Sequence, residues 1–79
     1  MNSEAKRIGK ILGNRRRELG FTQMEVALEL GMSMHQYQRY EYGETKLANC
    51  RMHTGLKICA ILELNPFEAV FGPNYNGKI

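Results

Sequence analysis

Four side chains in the stretch LGMSMHQYQRYEYG (30–43) have types and spacing that suit hydrogen-bonded recognition. Gln38 and Arg39 each stand three or four residues from both His35 and Tyr42, which places the four side chains on one face of a helix. They offer donors, acceptors and a planar cation, with no carboxylate among them. A solvated helix face usually mixes charges of both signs. A solvated face that merely lacks Glu is the alternative, but the composition favours a binding surface.

Base pairs present groups of matching chemistry in the major groove of DNA. Arg39 could donate two parallel hydrogen bonds to guanine, and Gln38 could pair with adenine. Met34, at the N-terminal edge, could lie against a thymine methyl group. The opposite side of the same helix is expected to pack against the protein and consists of Tyr37, Tyr40 and Glu41. The pattern therefore predicts a short helix that is anchored by its tyrosines and turns its polar face outward.

Two helices are expected to meet just before this face. Capping-box pairs, which start helices, stand at Thr22 and Glu25 and again at Ser33 and Gln36. Gly31 ends the second helix, and the third is predicted from Met34 to about Tyr42. A short helix after so tight a turn has the geometry that projects a helix into the groove while its predecessor crosses the DNA backbone.

The remaining chain divides into three further helices, so we predict an all-α fold of five helices. The first is expected from about Ser3 to Leu19, with an apolar stripe of Ile8, Ile11, Leu12 and Leu19. The fourth is expected to be capped by Asn49 and to reach Leu64, with an inner stripe of Met52, Leu56, Cys59 and Leu62 and with Ile58 and Leu64 beside it. The fifth is short, with Asn65 as its cap and Pro66 at its first position. No segment alternates with period two, so no sheet is expected.

The segment RRRELGFTQMEVALELGMSMHQYQRYEYGETK resembles the helix-turn-helix of the Cro/cI-type, or XRE-like, family of transcription regulators. The family pattern reads approximately R-x-x-x-G-[LF]-T-Q-x-x-[LV]-A-x-x-[LI]-G-[VM]-S-x-x-x-[IY]-x-x-[YW]-E-x-G and is matched from Arg16 to Gly43. Downstream, LKICAILELNPFEAVFG is similar to the family's continuation, so the resemblance covers about Ile8 to Gly72. It implies a five-helix, lambda-repressor-like DNA-binding domain at 1–72, followed by a C-terminal tail at 73–79.

The resemblance also implies roles for individual residues. Those that would read bases are Met34, His35, Gln38 and Arg39. Those that would contact the DNA backbone are Gln23, Ser33, Tyr42, Thr45 and Lys46, and Gln23 would in addition brace the third helix. Arg16 and Glu41 would form a partly buried ion pair that sets the angle between the first and third helices. On the helical wheel, Arg15 is expected to lay its stem along the core, and Arg17 points to solvent.

Composition narrows the class of function. The 79 residues suffice for one domain, and 11 Lys and Arg against 8 Glu give a net charge of +3, which suits a polyanion but is too mild to identify one. The longest apolar run, ICAIL, is too short to cross a bilayer. The two cysteines lie nine residues apart and favour a reduced, cytoplasmic protein. We therefore expect a cytoplasmic location and no membrane association.

The sequence lacks the usual catalytic and metal-binding patterns. Ser33 and His35 are near neighbours without a third group to orient the His, and no glycine-rich phosphate motif is present, so we expect no enzyme. Cys50 and His53 stand one helical turn apart, but their spacing matches no usual zinc motif. No metal or other cofactor is expected.

These observations predict a small, repressor-like transcription regulator that binds double-stranded DNA sequence-specifically. A homodimer is expected, because one short helix reads too few base pairs whereas a two-fold pair reads half-sites about 34 to 36 Å apart. In the family, the dimer seam often lies around the last helix. Two alternatives stay open. One is an antitoxin that represses its own operon and binds a toxin, and the other is a helical protein-interaction module without DNA affinity.

Overall fold

The computed structural model describes residues 3–72 and, within that range, consists of five α-helices and one 3₁₀ turn, without a strand. The helices are α1 (Ser3–Glu18), α2 (Gln23–Leu30), α3 (Met34–Glu41), α4 (Met52–Ile61) and α5 (Pro66–Phe71), and the 3₁₀ turn is Leu47–Asn49. The prediction of an all-α fold is confirmed for these residues. The predicted tail at 73–79 lies outside the described residues.

A single cluster of apolar side chains holds α1 to α4 together. Its fully buried members are Ile8, Leu12, Val26, Tyr37, Ile58 and Leu62. On α1, Ile8 and Leu12 are buried and Ile11 is half-buried. Leu19, just after the end of the helix, is half-buried too, so the predicted stripe is confirmed. Because α3 packs against both α1 and α2, its position is fixed from two sides.

Reciprocal side-chain bonds begin α2 and α3, as the capping-box spacing predicts. The Glu25 amide donates to Thr22 Oγ1 at 3.1 Å, and the Thr22 amide donates to Glu25 Oε1 at 2.8 Å. Gln36 and Ser33 make the same pair of bonds at 3.1 and 3.0 Å. These bonds satisfy amides that a helix start leaves without partners. Both predicted starts are confirmed.

The bounds and the inner face of α4 differ from the prediction. Asn49 does not cap this helix, because it lies in the 3₁₀ turn, and α4 begins at Met52 after Arg51, whose side chain makes no capping bond. The helix ends at Ile61 rather than at Leu64. Met52 and Leu56, which were expected inside, are 79% and 50% exposed. The buried residues at the end of α4 are Ile58, Cys59 and Leu62.

Gly55 explains why Met52 and Leu56 do not face the core. Gly55 occupies the inward position one turn before Ile58 and Cys59, where a Cβ would lie 3.1 Å from Cys50 Sγ and 4.0 Å from Leu47 Cδ1. Side chains from the preceding link thus fill the space beneath the first turns of α4. Met52 and Leu56 are left on its outer side.

Arg15 ties α1 to the end of α4. Its Nε donates to the Leu62 carbonyl at 3.0 Å, and its guanidinium lies 3.2 Å from Glu18 and 3.5 Å from Glu63. The side chain is 31% exposed, which agrees with a stem along the core and a head in water. Arg17 is exposed, as expected.

Candidate nucleic-acid interface

Only residues 31–33 separate α2 from α3. Gly31 adopts the left-handed conformation with φ 72°, and its amide donates to the Leu28 carbonyl at 3.1 Å. The Met32 amide donates to the Ala27 carbonyl, also at 3.1 Å, so backbone bonds alone close the end of α2. Because Ser33 starts the next helix directly afterwards, residues 31–33 set the direction of α3 relative to α2.

The two faces of α3 differ in burial. Tyr37 and Glu41 are buried and Tyr40 is half-buried, so the side predicted to pack does pack. The outward side chains are Met34, His35, Arg39 and Tyr42, all exposed. Gln38 is half-buried, because it contacts α2. Of the residues selected as base readers, Gln38 is therefore the one that the protein itself partly covers.

A buried ion pair joins α1 to the end of α3. Arg16 Nε donates to Glu41 Oε2 at 2.6 Å, and Arg16 Nη2 donates to Glu41 Oε1 at 3.3 Å. Arg16 Nη1 donates to the Phe21 carbonyl at 2.8 Å. The side chains are only 11% and 4% exposed, so the pair is more deeply buried than the resemblance implies. Its planar fork geometry fixes the two helices relative to each other.

The ion pair keeps Glu41 charged inside the protein. Burial on its own would raise the pKa of Glu41, but hydrogen bonds and the charge of Arg16 outweigh it and hold that pKa below the usual 4.5. The Tyr37 hydroxyl is buried beside the pair without a well-formed hydrogen bond to any residue that the structure describes. Burial, followed by the neighbouring Glu41 carboxylate, raises the pKa of Tyr37. At neutral pH the site holds a carboxylate and a neutral phenol.

Two glutamines extend this network to the surface. Gln23 Nε2 donates to Glu41 Oε1 at 3.0 Å and lies 3.4 Å from the Tyr42 hydroxyl. Gln38 Nε2 donates to Gln23 Oε1 at 3.0 Å. Gln23, which the resemblance implies as a brace for α3, lies between the buried carboxylate and the outward face. The chain of bonds runs from Arg16 on α1 to Gln38 on α3.

Two glycines let α1 cross the end of α3 at backbone distance. A Cβ at Gly9 would overlap the Glu41 carbonyl oxygen and lie 2.7 Å from the Tyr40 carbonyl oxygen. Gly43 has φ 76°, and a Cβ there would lie 2.7 Å from Lys6 Cγ. Neither contact was predicted from the sequence. The available signal is Gly9 itself, since a glycine inside a helix lowers helix stability and needs a packing reason.

The residues selected for the DNA backbone surround α3. Ser33 is exposed, and its hydroxyl oxygen accepts the Gln36 amide. Thr45 and Lys46 are half-buried. The Thr45 amide donates to the Arg39 carbonyl at 3.1 Å, which folds the link after α3 back against its last turn. Thr45 and Arg39 therefore lie close together at the end of α3.

An open cleft of about 540 Å³ lies beside α3 and adds residues that the sequence analysis missed. Arg39 and Thr45 line it together with Asn49, Arg51 and Thr54, and no Glu lines it. Arg51 precedes the first turn of α4, where no side chain caps the amides. Free amides at a helix start attract anions. The signal in the sequence was an arginine at a helix start, but that start was placed wrongly.

No three His, Cys or Glu side chains come together as a metal site among residues 3–72. Cys50 and Cys59 are free thiols, and burial raises the pKa of both. Protonated thiols are poor nucleophiles and poor metal ligands. None of the helices described combines the length and the apolar character that a bilayer span requires.

No family model, no curated protein and no solved structure matches this chain. The resemblance to the Cro/cI-type family rests on the motif residues themselves, from Arg16 to Gly43.

Proposed function

We propose that this chain is a sequence-specific DNA-binding protein of the Cro/cI-type family, a small repressor-like regulator that places α3 in the major groove. The observation that carries the proposal is the α2–α3 unit. It consists of two capped helices joined across residues 31–33, and the exposed side of the second holds Met34, His35 and Arg39. A short helix held in this way can present several side chains to base edges at once.

Arg39 is the strongest candidate for reading a base. Its side chain is 60% exposed, and its ion pair with the equally exposed Glu44 spans 4.0 Å. Such surface pairs contribute at most about 1 kcal/mol, so the guanidinium is available to another partner. Guanine offers two acceptors, O6 and N7, that match its fork.

The cleft beside α3 supplies contacts to phosphates on this proposal. The polar side chains that line it include Arg39, Thr45, Arg51 and Thr54. Lys46 follows directly in the chain. Ser33 and Tyr42 stand at the two ends of α3, and Gln23 Nε2 lies 3.4 Å from the Tyr42 hydroxyl. Contacts of this kind fix the register of a protein on DNA without carrying sequence information.

A second copy of the chain would complete the site. The eight residues of α3 span about 12 Å, which corresponds to three or four base pairs at about 3.4 Å each. An apolar groove of about 470 Å³ between α4 and α5 is the surface that we assign to the seam of a homodimer. The exposed apolar side chains around it are Met52, Leu56, Phe67 and Phe71.

Selection of binding sites from a random pool of duplex DNA tests the proposal. We expect a palindromic motif whose half-sites lie one helical turn apart, and binding that weakens steeply as salt rises, because phosphate contacts release counterions. Absence of an enriched motif, together with no salt-dependent binding to duplex DNA, would instead favour a protein-interaction module.

The substitution Arg39→Ala separates base reading from general attraction. We expect a loss of about 1 to 3 kcal/mol on the selected site, concentrated at one base pair. Arg17→Ala is the matched control, since Arg17 is an exposed arginine on α1 whose Nη2 donates to Asn14. Equal weakening on all sequences by Arg39→Ala would contradict its role as a base reader.

A further inference from the structure

Hydrogen bonds link Glu41, Gln23 and Gln38, and the chemistry of each group determines which side chain donates and which accepts. Glu41 is buried and paired with Arg16 at 2.6 Å, so it is an ionised carboxylate that accepts hydrogen bonds but cannot donate them. The group of Gln23 that lies 3.0 Å from Glu41 Oε1 must therefore be its nitrogen, Nε2. A Gln23 amide turned by 180° would bring two acceptors together inside the protein.

The same argument passes from Gln23 to Gln38. Since Gln23 turns its nitrogen toward Glu41, it turns its oxygen toward α3. The group of Gln38 that lies 3.0 Å from this oxygen must then be Nε2 of Gln38. A buried pair between α1 and α3 thus determines how an amide on the outward face is oriented.

This orientation decides what Gln38 offers to an outside partner. One hydrogen of its Nε2 is engaged with Gln23, and the second hydrogen and the carbonyl oxygen are left. No other residue in the described range bonds that carbonyl oxygen. One donor beside one acceptor matches adenine, which presents N7 as an acceptor and N6 as a donor in the major groove. Guanine presents two acceptors, so its O6 would meet the Gln38 oxygen.

We propose that the Arg16–Glu41 pair, acting through Gln23 as a positioning residue, fixes the amide of Gln38 so that Gln38 selects adenine over guanine. This inference rests on the proposed function, because it names the base that one residue of the DNA-reading face prefers. Gln23 then has a role beyond a contact with phosphate. Its removal changes which base is accepted, whereas loss of a phosphate contact weakens binding to all sequences alike.

The first test needs no DNA. Side-chain amide signals of Gln38 are followed by NMR in the full chain and in Gln23→Met, which has a similar size but neither donates nor accepts as an amide does. We expect the Gln38 signals to shift and their hydrogen exchange to become faster in this variant. Glu29→Gln is the control, since Glu29 is an exposed residue of α2, the helix that also carries Gln23. Unchanged Gln38 signals in Gln23→Met would overturn the proposal whether or not the chain binds DNA.

The second test measures base preference on the selected duplex and on a copy with guanine in place of adenine. The base pair to exchange is the one at which the unsubstituted chain prefers one base and Gln38→Ala has lost that preference. We expect a preference of about tenfold or more for adenine, a large part of which Gln23→Met abolishes. The double variant Gln23→Met with Gln38→Ala should lose no more preference than Gln38→Ala alone, and Glu29→Gln should retain the preference.

Two results on DNA would overturn the inference and leave the proposed function standing. One is a Gln23→Met variant that binds both duplexes more weakly by the same factor. The other is a Gln38→Ala variant with unaltered preference at all positions. Failure of the unsubstituted chain to bind any duplex would overturn the proposed function and, with it, the assignment of adenine to Gln38.

Discussion

The α1–α3 half and the α4–α5 half of the described chain are held in different ways. In the first, the helices meet through a buried ion pair, a chain of glutamine bonds and a backbone contact at Gly9. In the second, apolar side chains such as Met52 and Leu56 remain exposed around a groove. Polar groups that bond to one another define one geometry. The open apolar groove is the surface that we propose a second copy of the chain covers. The first half therefore has a fixed geometry, whereas the second leaves apolar side chains exposed.

The largest difference between the halves should appear when an arginine is removed. Arg16→Met leaves Glu41 buried without its countercharge, so we expect the free energy of unfolding to fall by about 3 to 5 kcal/mol. Arg51→Met, at an exposed arginine in the other half, should change it by less than about 0.5 kcal/mol. Denaturant titration followed by circular dichroism measures both. Similar small losses would mean that the ion pair does not hold the helices.

Gly9 in α1 and Gly55 in α4 should respond differently to alanine. At Gly9 an added methyl group meets backbone carbonyls of α3, which cannot move aside, and we expect a loss of about 1 to 3 kcal/mol. At Gly55 the nearest atom is the Cys50 sulfur at 3.1 Å, which lies on a side chain, and alanine is the better helix former. Gly55→Ala should therefore be close to neutral. Thermal unfolding of both variants checks the pair, and a tolerated Gly9→Ala would contradict the close crossing.

Acid should weaken the α1–α3 half through Glu41. Because the pKa of Glu41 in the folded protein lies below its usual 4.5, the folded state binds fewer protons than the unfolded chain in acid. The stabilisation is complete above about pH 4.5 and is lost as the pH falls from there through the lower folded pKa. The free energy of unfolding, measured from about pH 7 down to about pH 3, should fall less in Glu41→Gln, which cannot ionise. Parallel curves would exclude Glu41 as the titrating group.

The smallest effect on stability is expected at the groove. Leu56→Gln should alter the free energy of unfolding by less than about 0.5 kcal/mol, because the side chain is half exposed. The same change should weaken self-association in sedimentation velocity runs, since it places a polar group in the proposed seam. Lys57→Gln, at the exposed neighbouring position, should change neither quantity. Loss of folding in Leu56→Gln would show that Leu56 belongs to the core.

The positions of α1 to α3 could be predicted from the sequence because the signals for each helix lie within or next to that helix. Capping pairs and apolar spacing lie within each helix, and the structure begins α2 and α3 where those pairs predict. The inner face of α4 could not be predicted from the spacing of residues within the helix. Its inward position is held by Gly55, and Leu47 and Cys50 supply the apolar contact from another part of the chain.

For the candidate site, the helical wheel separated the buried side of α3 from its outward side. It could not show that Gln38 is half-buried, because that follows from the placement of α2. Nor could it bring Arg51 beside Arg39, because the link between α3 and α4 has no periodic pattern. Contacts between helices depend on their packing angles, which no single helix encodes.

The crossing of α1 over the end of α3 depends on main-chain atoms at Gly9 and Gly43, and therefore not on the side chains that α3 turns outward. Residues 34, 35 and 39 should be open to redesign, since new side chains there would leave the framework where it is. Gln38 is the exception: its neighbour Gln23 would have to be exchanged with it, so a library that varies this face should treat the two positions as one unit.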